Sequence, residues 1–253
     1  MKVVILAGGK GTRITEESQF KPKPMIQIGE YPIIWHIMKI YSHYGHNDFI
    51  ICAGYKKEHF IYYFQKFADE KIFFDKPFVA HLPSGENWNI IIADTGEDTL
   101  TGGRVKRISK YIDNEPFMLT YGDGVADVNI DNLLNFYNKH NRKLCITAIQ
   151  PESRYGVLEF DEDDNVLSFK EKDKKNVGWI NGGYMIVDPL IFDFIEGDNT
   201  IFERYPIEKM VSINEVVGFK HDGFWQCMDT LREKQKLELL WEEEKAPWKV
   251  WKN

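Results

Sequence analysis

The chain has 253 residues, which fits one large α/β enzyme with a substantial apolar core. Hydrophobic residues make up 43% and charged residues 28%, as in an ordinary globular protein. The net charge of -7 argues against general nucleic-acid binding, because proteins of that class carry a basic excess. It does not exclude a nucleotide site, which needs only a few local cations, backbone N–H groups and a metal ion.

The three cysteines, Cys52, Cys145 and Cys227, form no C-x-x-C pair, so neither a zinc site nor a disulfide framework is indicated. Scattered thiols of this kind fit a reducing compartment. The first apolar run is too short for a signal peptide, and no stretch approaches the roughly 20 apolar residues of a membrane span. The sequence therefore predicts a cytoplasmic protein with no membrane segment and no nucleic-acid partner.

Strands and helices alternate over the first half of the chain. Short apolar runs predict strands over residues 3–7, 48–53, 89–93, 116–121 and 143–149. Apolar residues at helical spacing predict helices over residues 33–44, 57–67, 103–111 and 132–140. This alternation predicts an α/β fold with a Rossmann-like, doubly wound sheet that is mostly parallel and flanked by helices.

The pattern changes in the second half of the chain. Strands predicted over residues 155–160, 166–170 and 183–187 are joined by short turns, so we expect the sheet to become mixed. A helix is expected over residues 188–194, and a charged amphipathic helix from 230 to about 244. Because no repeat, low-complexity tract or linker interrupts the chain, we expect one domain over residues 1–253 with a helical tail from about 230 to 253.

A glycine-rich segment directly after the first strand is the strongest local motif: Leu6, Ala7, Gly8, Gly9, Lys10, Gly11, Thr12 and Arg13. Glycines there let the backbone turn sharply and approach a ligand, and their N–H groups can cradle a triphosphate. Arg13 can add a bidentate charge to the β- and γ-phosphates. The segment is neither a P-loop nor a dinucleotide fingerprint, and the alternative is a plain glycine-rich turn.

Ten residues further along, the chain reads Lys21-Pro22-Lys23-Pro24-Met25. The two prolines fix the backbone around Lys23. If this rigid segment points back at the glycine loop, the Lys23 ammonium lies at the α-phosphate and stabilises charge there during phosphoryl transfer. The alternative is a solvated basic turn.

Together, L-A-G-G-x-G-T-R and K-P-K-P-M resemble the sugar-phosphate nucleotidyltransferases and, more finely, the glucose-1-phosphate cytidylyltransferases. The resemblance covers nearly the whole chain and continues through these strings: WHIMK at 35–39, DTG at 94–96, TGGR at 101–104, TYGDGVAD at 120–127, INGG at 180–183, GFWQ at 223–226, MDTLR at 228–232 and KAPWK at 245–249. It implies transfer of CMP from CTP to a small phosphorylated acceptor with release of pyrophosphate, and a product that feeds a surface polysaccharide such as a capsule.

The resemblance assigns site residues in this numbering. Lys23 and Arg13 are implied to be catalytic. The implied nucleotide-binding residues are Leu6, Ala7, Gly8, Gly9, Gly11, Thr12, Arg13, Lys23, Thr101, Gly102, Gly103, Gly122 and Asp123. The implied acceptor-binding residues are Gly156, Glu171, Lys172 and Asn181. The choice of CTP follows from the resemblance, with the Thr101–Gly103 segment placed against the nucleobase.

Two carboxylates are expected to hold the cation that this chemistry needs. Asp123 follows a predicted strand at its carboxyl end, and Asp229 matches the family's second metal ligand near the C-terminus. Mg²⁺ prefers such ligands and offsets the charge between an anionic nucleophile and a triphosphate. The alternative for Asp229 is the N-cap of the helix that follows. Asp127 is a weaker candidate and is interpreted as structural.

Two departures from the family bear on the acceptor. Asp173 replaces the family's proline after the Glu-Lys pair, and the stretch over residues 74–89 is shorter than expected. These leave open another hexose 1-phosphate, or a non-sugar phosphate such as L-glutamine phosphate. An alternative of another class is a regulatory subunit that binds nucleotide without turnover. The C-terminal tryptophans are expected either to form a contact in a homo-oligomer or to pack on the chain's own core.

Overall fold

The computed structural model describes residues 1–151, 157–160, 162, 165–170 and 178–252. The strands in these ranges are β1 Val3–Leu6, β2 Gln27–Ile28, β3 Tyr31–Pro32, β4 Asp48–Ala53, β5 Pro77–His81, β6 Asn87–Asp94, β7 Phe117–Tyr121, β8 Gly124–Ala126, β9 Leu144–Ile149, β10 Val157–Phe160, β11 Val166–Lys170, β12 Ile180–Val187, β13 Val216–His221 and β14 Trp225–Cys227. The α-helices are α1 Thr15–Ser18, α2 Ile33–His43, α3 Glu58–Phe64, α4 Thr101–Arg107, α5 Ile130–His140, α6 Tyr205–Ser212 and α7 Leu231–Glu242.

Eight strands form one sheet in the order β13-β9-β12-β7-β1-β4-β6-β5. The pairs β7–β1, β1–β4, β4–β6 and β9–β13 are parallel. β12 is antiparallel to both of its neighbours, and β5 is antiparallel to β6. The predicted mixed, mostly parallel sheet is therefore confirmed. The antiparallel strand β12 lies in the second half of the chain, as expected, whereas the antiparallel edge strand β5 lies in the first half.

The central strand β1 is buried on both faces, which is why its sequence is a continuous apolar run. Val3 and Ile5 pack into the apolar layer that includes α2 and α5. Val4 and Leu6 pack into the opposite layer, which includes α4 and α6. Because side chains alternate along a strand, one four-residue strand anchors the helices on both faces of the sheet.

The edge strands are the main elements that the sequence did not predict. β5 begins with a proline and alternates exposed and buried residues, and β13 carries a central glycine and is half-buried. Neither gives the continuous apolar run of a central strand. β5 and the start of β6 both fall in the stretch over residues 74–89. The segment expected to be a helix over residues 188–194 is a 3-10 helix, Pro189–Phe194.

The C-terminal tail packs on the chain's own core. Helix α7 confirms the predicted amphipathic helix, and the chain beyond it returns to α2. Trp248 is fully buried and Trp251 is 8% exposed. Their rings lie against His36 of α2, at centroid distances of 6.1 and 6.3 Å. Of the two roles expected for these tryptophans, the structure shows packing within the chain.

Across the described ranges, none of the helices combines the length and the apolar character needed to cross a membrane.

Candidate active site

A cleft of about 420 Å³ opens at the carboxyl-terminal edge of the sheet, where β1 and β7 end side by side. Open α/β sheets bind ligands at this edge. Eleven of the thirteen residues predicted to bind nucleotide line the cleft: Leu6, Ala7, Gly8, Gly9, Gly11, Thr12, Arg13, Lys23, Thr101, Gly122 and Asp123. The other two, Gly102 and Gly103, pack elsewhere.

The glycine loop after β1 is held by a buried arginine that also lines the cleft. Arg104 of α4 is 4% exposed, and its Nη2 donates to the carbonyl oxygen of Gly8 at 2.9 Å. The same oxygen accepts from the backbone N–H of Tyr55 at 3.1 Å. In a planar trans peptide the N–H points opposite to the carbonyl, so the N–H of Gly9 is directed away from the Arg104 guanidinium that its neighbouring carbonyl accepts from. The loop is thereby shaped to present N–H groups to an anion.

Two positions of the loop require glycine for different reasons. A Cβ on Gly8 would lie 2.1 Å from Nη1 of Arg104, closer than any side chain can approach. Gly11 has a φ of +63°, in the left-handed region that other residues enter at a cost. A Cβ there would also lie 3.1 Å from the Cβ atoms of Lys23 and Ser18. The glycines therefore let the loop lie directly on the arginine and on the lysine segment.

Lys23 joins the two carboxylates that the sequence assigns to a metal. Its Nζ lies 2.5 Å from Oδ2 of Asp123 and 2.7 Å from Oδ1 of Asp229. Nη1 of Arg13 lies 2.7 Å from the other oxygen of Asp229. Lys23 is 8% exposed, in a 3-10 turn whose N-cap is Pro22. The fold therefore brings these four predicted residues together at one end of the cleft.

Charge pairing sets the protonation of this group. Burial by itself lowers the pKa of Lys23, but the charges and hydrogen bonds of Asp123 and Asp229 outweigh it, and the pKa is raised. Burial likewise disfavours the ionised form of Asp229, but the ammonium of Lys23 outweighs it and holds the pKa of that carboxyl below its usual value. At neutral pH Lys23 is therefore an ammonium and Asp229 a carboxylate.

The carboxylates of Asp123 and Asp229 converge on one point, since a single ammonium contacts both. That geometry and chemistry fit Mg²⁺, which takes one or two carboxylates and keeps several waters. Cys227 and Glu233 also lie within metal-ligand range of Asp229. However, burial raises the pKa of the Cys227 thiol to about 12. The Glu233 carboxylate accepts from the backbone N–H groups of Asp229 and Thr230, each at 2.8 Å.

Asp229 is not the cap of the helix that follows it. The N-cap of α7 is Thr230, whose hydroxyl accepts from the N–H of Glu233 while the Glu233 carboxylate accepts from the N–H of Thr230. The capping alternative for Asp229 is therefore wrong. Asp127 accepts from the backbone N–H of Phe224 at 2.7 Å and lies 3.0 Å from Nε2 of His221. It holds that turn in place, as its structural interpretation predicted.

Gly102 and Gly103, the second predicted glycine pair, pack against the segment that contains Asp198 and Thr200. The N–H groups of Gly102 and Gly103 both point to the carbonyl oxygen of Thr200, at 2.9 and 3.3 Å. Cβ atoms on them would lie 2.7 Å from that oxygen and 2.5 Å from Cα of Asp198, respectively. These glycines let α4 approach the segment around residue 200. Of the predicted residues Thr101, Gly102 and Gly103, only Thr101 lines the cleft.

A hydrogen-bonded chain of side chains runs along the cleft wall. Glu203 accepts from the Thr101 hydroxyl at 2.7 Å and from the Tyr121 hydroxyl at 2.6 Å. Asn181 donates to the oxygen of Tyr121 at 3.3 Å. Burial, aided by Glu203, raises the pKa of Tyr121, which keeps its hydroxyl a neutral donor. This network links a predicted nucleotide residue, Thr101, to a predicted acceptor residue, Asn181.

Sequence reasoning assigned no role to Arg104, Glu203 or Tyr121. Arg104 and Tyr121 fall within the quoted TGGR and TYGDGVAD strings, so the positions were marked but not interpreted. Glu203 lies in an irregular segment before α6, and no local pattern distinguishes it from a surface glutamate.

The predicted acceptor residues are only partly visible. Gly156, Glu171 and Lys172 lie outside the described residues. Asn181 lies at the start of β12, beside a small cavity of about 30 Å³ that Asp123 also lines. Asp123, one of the two predicted metal ligands, therefore lies between this cavity and the main cleft.

A family model described as nucleotidyl transferase matches residues 2–226 of the chain. The chain belongs to the nucleotidyl transferase family. This nucleotidyl transferase is 47% identical over 257 residues to glucose-1-phosphate cytidylyltransferase of Salmonella typhi, with 99% of this chain and 100% of the relative covered. It is 40% identical over 256 residues to probable glucose-1-phosphate cytidylyltransferase of Bacillus subtilis (strain 168), at 99% and 100% coverage. The resemblance found in the sequence is confirmed.

Solved structures resemble the nucleotidyl transferase over nearly its whole length. HddC from Yersinia pseudotuberculosis is 25% identical with a TM-score of 0.69, covering 95% of this chain and 99% of that one. A UDP-glucose pyrophosphorylase complexed with UDP-glucose has a TM-score of 0.71 at 15% identity, with 96% and 98% covered. The second likeness concerns the fold alone, and both agree with the α/β architecture predicted from the sequence.

Proposed function

We propose that this nucleotidyl transferase transfers CMP from CTP to glucose 1-phosphate, forming CDP-glucose and releasing pyrophosphate. The observation that carries the chemistry is the Lys23 ammonium between the carboxylates of Asp123 and Asp229, beside the glycine loop. The choice of CTP and glucose 1-phosphate is supported by the 47% identity, over 99% of this chain, to a protein named for that activity.

The reaction needs a nucleophile, a leaving group and charge neutralisation. An oxygen of the acceptor phosphate forms a bond to the α-phosphorus, and the bond from that phosphorus to the bridging oxygen of the β-phosphate breaks. Pyrophosphate leaves with the electron pair. A phosphate dianion is already a nucleophile, so no side chain has to remove a proton. Lys23 then stabilises the charge on the α-phosphate, and Arg13 binds the departing pyrophosphate.

Asp123 and Asp229 are the residues that would hold Mg²⁺. Bound there, the ion would offset the charge between the two anionic reactants and orient the α-phosphate. The N–H of Gly9 and its neighbours in the loop bind the outer phosphates. Glu171 and Lys172 are proposed to hold the acceptor hydroxyls and phosphate, and Gly156 and Asn181 to line the acceptor pocket.

The proposal places the enzyme in the cytoplasm, where its three free cysteines stay reduced. A homo-oligomer remains a prediction. Because Trp248 and Trp251 are buried within the chain, such an assembly needs an interface other than these two rings.

The test is pyrophosphate release with Mg²⁺, with CTP, UTP, dTTP and ATP each offered to a panel of phosphorylated acceptors. We expect turnover with CTP and glucose 1-phosphate, and its loss in Asp123→Asn. Turnover with CTP and only another acceptor, such as a second hexose 1-phosphate or L-glutamine phosphate, would reassign the substrate and keep the chemistry. CTP binding without turnover on any acceptor would favour the regulatory subunit.

A further inference from the structure

The Lys23 ammonium lies where the two metal carboxylates meet. It contacts one oxygen of Asp123 and one of Asp229, and Arg13 contacts the second oxygen of Asp229. Two cationic side chains therefore balance two carboxylates. The group is paired within the chain, at the point where a divalent ion would need the same oxygens.

We propose that Lys23 is the resting counter-ion of Asp123 and Asp229, and that it must swing to the nucleotide's α-phosphate before these carboxylates can hold a divalent cation. The proposal rests on the proposed function, since it concerns the same cation site. An ammonium and a dication cannot share both carboxylates, because they repel each other and need the same space. Metal and nucleotide would accordingly bind as a coupled pair.

The local structure permits this movement. The backbone of Lys23 is fixed by the flanking prolines and by the bond from the N–H of Ile26 to its carbonyl oxygen, at 3.0 Å. Only the side chain has to move, and four rotatable carbons give it reach. The α-phosphate offers the ammonium a replacement anion inside the same cleft, so the swing exchanges one charge pair for another.

This coupling predicts that the enzyme without nucleotide binds a divalent cation weakly. In Lys23→Met the competing ammonium is absent and the stem keeps its length. We expect Mn²⁺ alone, titrated by the electron paramagnetic resonance signal of the free ion, to bind Lys23→Met on the order of tenfold more tightly than the wild type. The double variant Lys23→Met/Asp123→Asn should lose that gain, which assigns it to the carboxylate pair.

Lys10→Met is the matched control. Lys10 lies in the glycine loop and pairs with Asp98 at 2.8 Å, so the substitution removes the same charge near the cleft without touching the carboxylates of Asp123 and Asp229. Its Mn²⁺ affinity should stay near that of the wild type. If Lys10→Met tightens Mn²⁺ binding as much as Lys23→Met, the gain is a general charge effect and the proposal fails.

A second measurement tests the same coupling in the presence of a nucleotide phosphate. CMP supplies an α-phosphate to the wild type, and it should increase Mn²⁺ affinity more in the wild type than in Lys23→Met, because only the wild type has an ammonium to displace. Equal Mn²⁺ affinities of the two proteins without nucleotide would overturn the proposal. Wild-type turnover with CTP and glucose 1-phosphate would in that case leave the proposed function standing.

Discussion

Arg104 holds the glycine loop through one hydrogen bond to Gly8. Nη2 of Arg104 donates to the carbonyl oxygen of Gly8 at 2.9 Å. Nη1 of the same guanidinium donates to the hydroxyl of Thr95 at 2.8 Å and to the carbonyl oxygen of Gly96 at 2.6 Å. One buried side chain therefore ties the loop after β1 to the segment after β6. Because the loop and Arg104 both line the cleft, this tie fixes the position of one cleft wall.

The first prediction concerns Gly8→Ala. The added Cβ would lie 2.1 Å from Nη1 of Arg104, so the arginine or the loop must move. We expect a loss of about 1–3 kcal/mol in the free energy of unfolding, as for overpacking in a core. We also expect a weaker affinity for CTP, because the displaced loop no longer directs its N–H groups at the phosphates. Urea unfolding and a CTP titration measure the two effects.

Gly9→Ala is the control for that substitution. A Cβ at this position meets no protein atom within 4 Å, so the stability of the variant should match that of the wild type. Any loss of CTP affinity in Gly9→Ala would report contact with the ligand. Similar unfolding free energies for Gly8→Ala and Gly9→Ala would contradict the role assigned to Arg104.

A second prediction tests the network on the cleft wall. Glu203→Gln places an amide N–H₂ opposite one of the two hydroxyls that donate to Glu203, from Thr101 and Tyr121. Losing a charge-assisted hydrogen bond costs about 1.5–3 kcal/mol. Because the network continues from Tyr121 to Asn181, we expect the KM for the acceptor to rise about tenfold or more, and to rise more than the KM for CTP.

Glu208→Gln provides the comparison for Glu203→Gln. Glu208 is exposed on α6, five residues further along the chain and outside the cleft lining. Steady-state kinetics should show unchanged KM values for both substrates. If Glu203→Gln behaves like this control, the carboxylate of Glu203 takes no part in substrate binding.

A third prediction concerns stability in acid. Burial lowers the pKa of His36 from 6.5 to about 4, although the hydrogen bond between its Nε2 and the carbonyl oxygen of Ile28 acts in the opposite direction. Between pH 6.5 and 4 the unfolded chain binds a proton that the folded chain does not. The contribution of His36 to the free energy of unfolding is therefore fully present above about pH 6.5. It falls by about 3 kcal/mol as the pH is lowered through 4.

His36→Gln removes this titration and can keep a donor to Ile28. The variant should lose less unfolding free energy than the wild type between pH 6.5 and 4, whatever its stability at pH 7. Urea unfolding at several pH values gives the slope of the unfolding free energy against pH for each of the two proteins. Parallel slopes would show that His36 is not a source of the acid sensitivity.

A fourth prediction concerns the C-terminal tail. Trp248 is fully buried, and its ring stacks on Phe224 at a centroid distance of 5.5 Å. Trp248→Ala should cost about 3–5 kcal/mol of unfolding free energy. Trp179 is 39% exposed and contacts the ammonium of Lys220, so Trp179→Ala should cost less than about 1 kcal/mol. Equal losses in urea unfolding would mean that the tail is not part of the core.

Local patterns in the sequence predicted where the cleft lies, and the family resemblance predicted much of its lining. The apolar run of β1 predicts a buried strand, the glycines after it require a close-approach turn, and Asp123 follows another buried strand. Parallel strands bring their carboxyl ends to one edge, so these local features suffice to predict a common site. The central strands and long helices were predicted for the same reason, since burial on both faces leaves a strong apolar pattern.

Only the tertiary structure decided how the site residues are paired. Lys23 and Asp229 are separated by 206 positions in the chain, and Arg104 and Gly8 by 96. No periodicity links residues so far apart, because their contact depends on how the sheet and the C-terminal segment pack. The contacts of Glu203 with Thr101 and Tyr121 depend on the same long-range packing. The packing of Gly102 and Gly103 likewise depends on the approach of the segment around Thr200. The sequence determined which groups are present, and long-range packing determined which charge meets which.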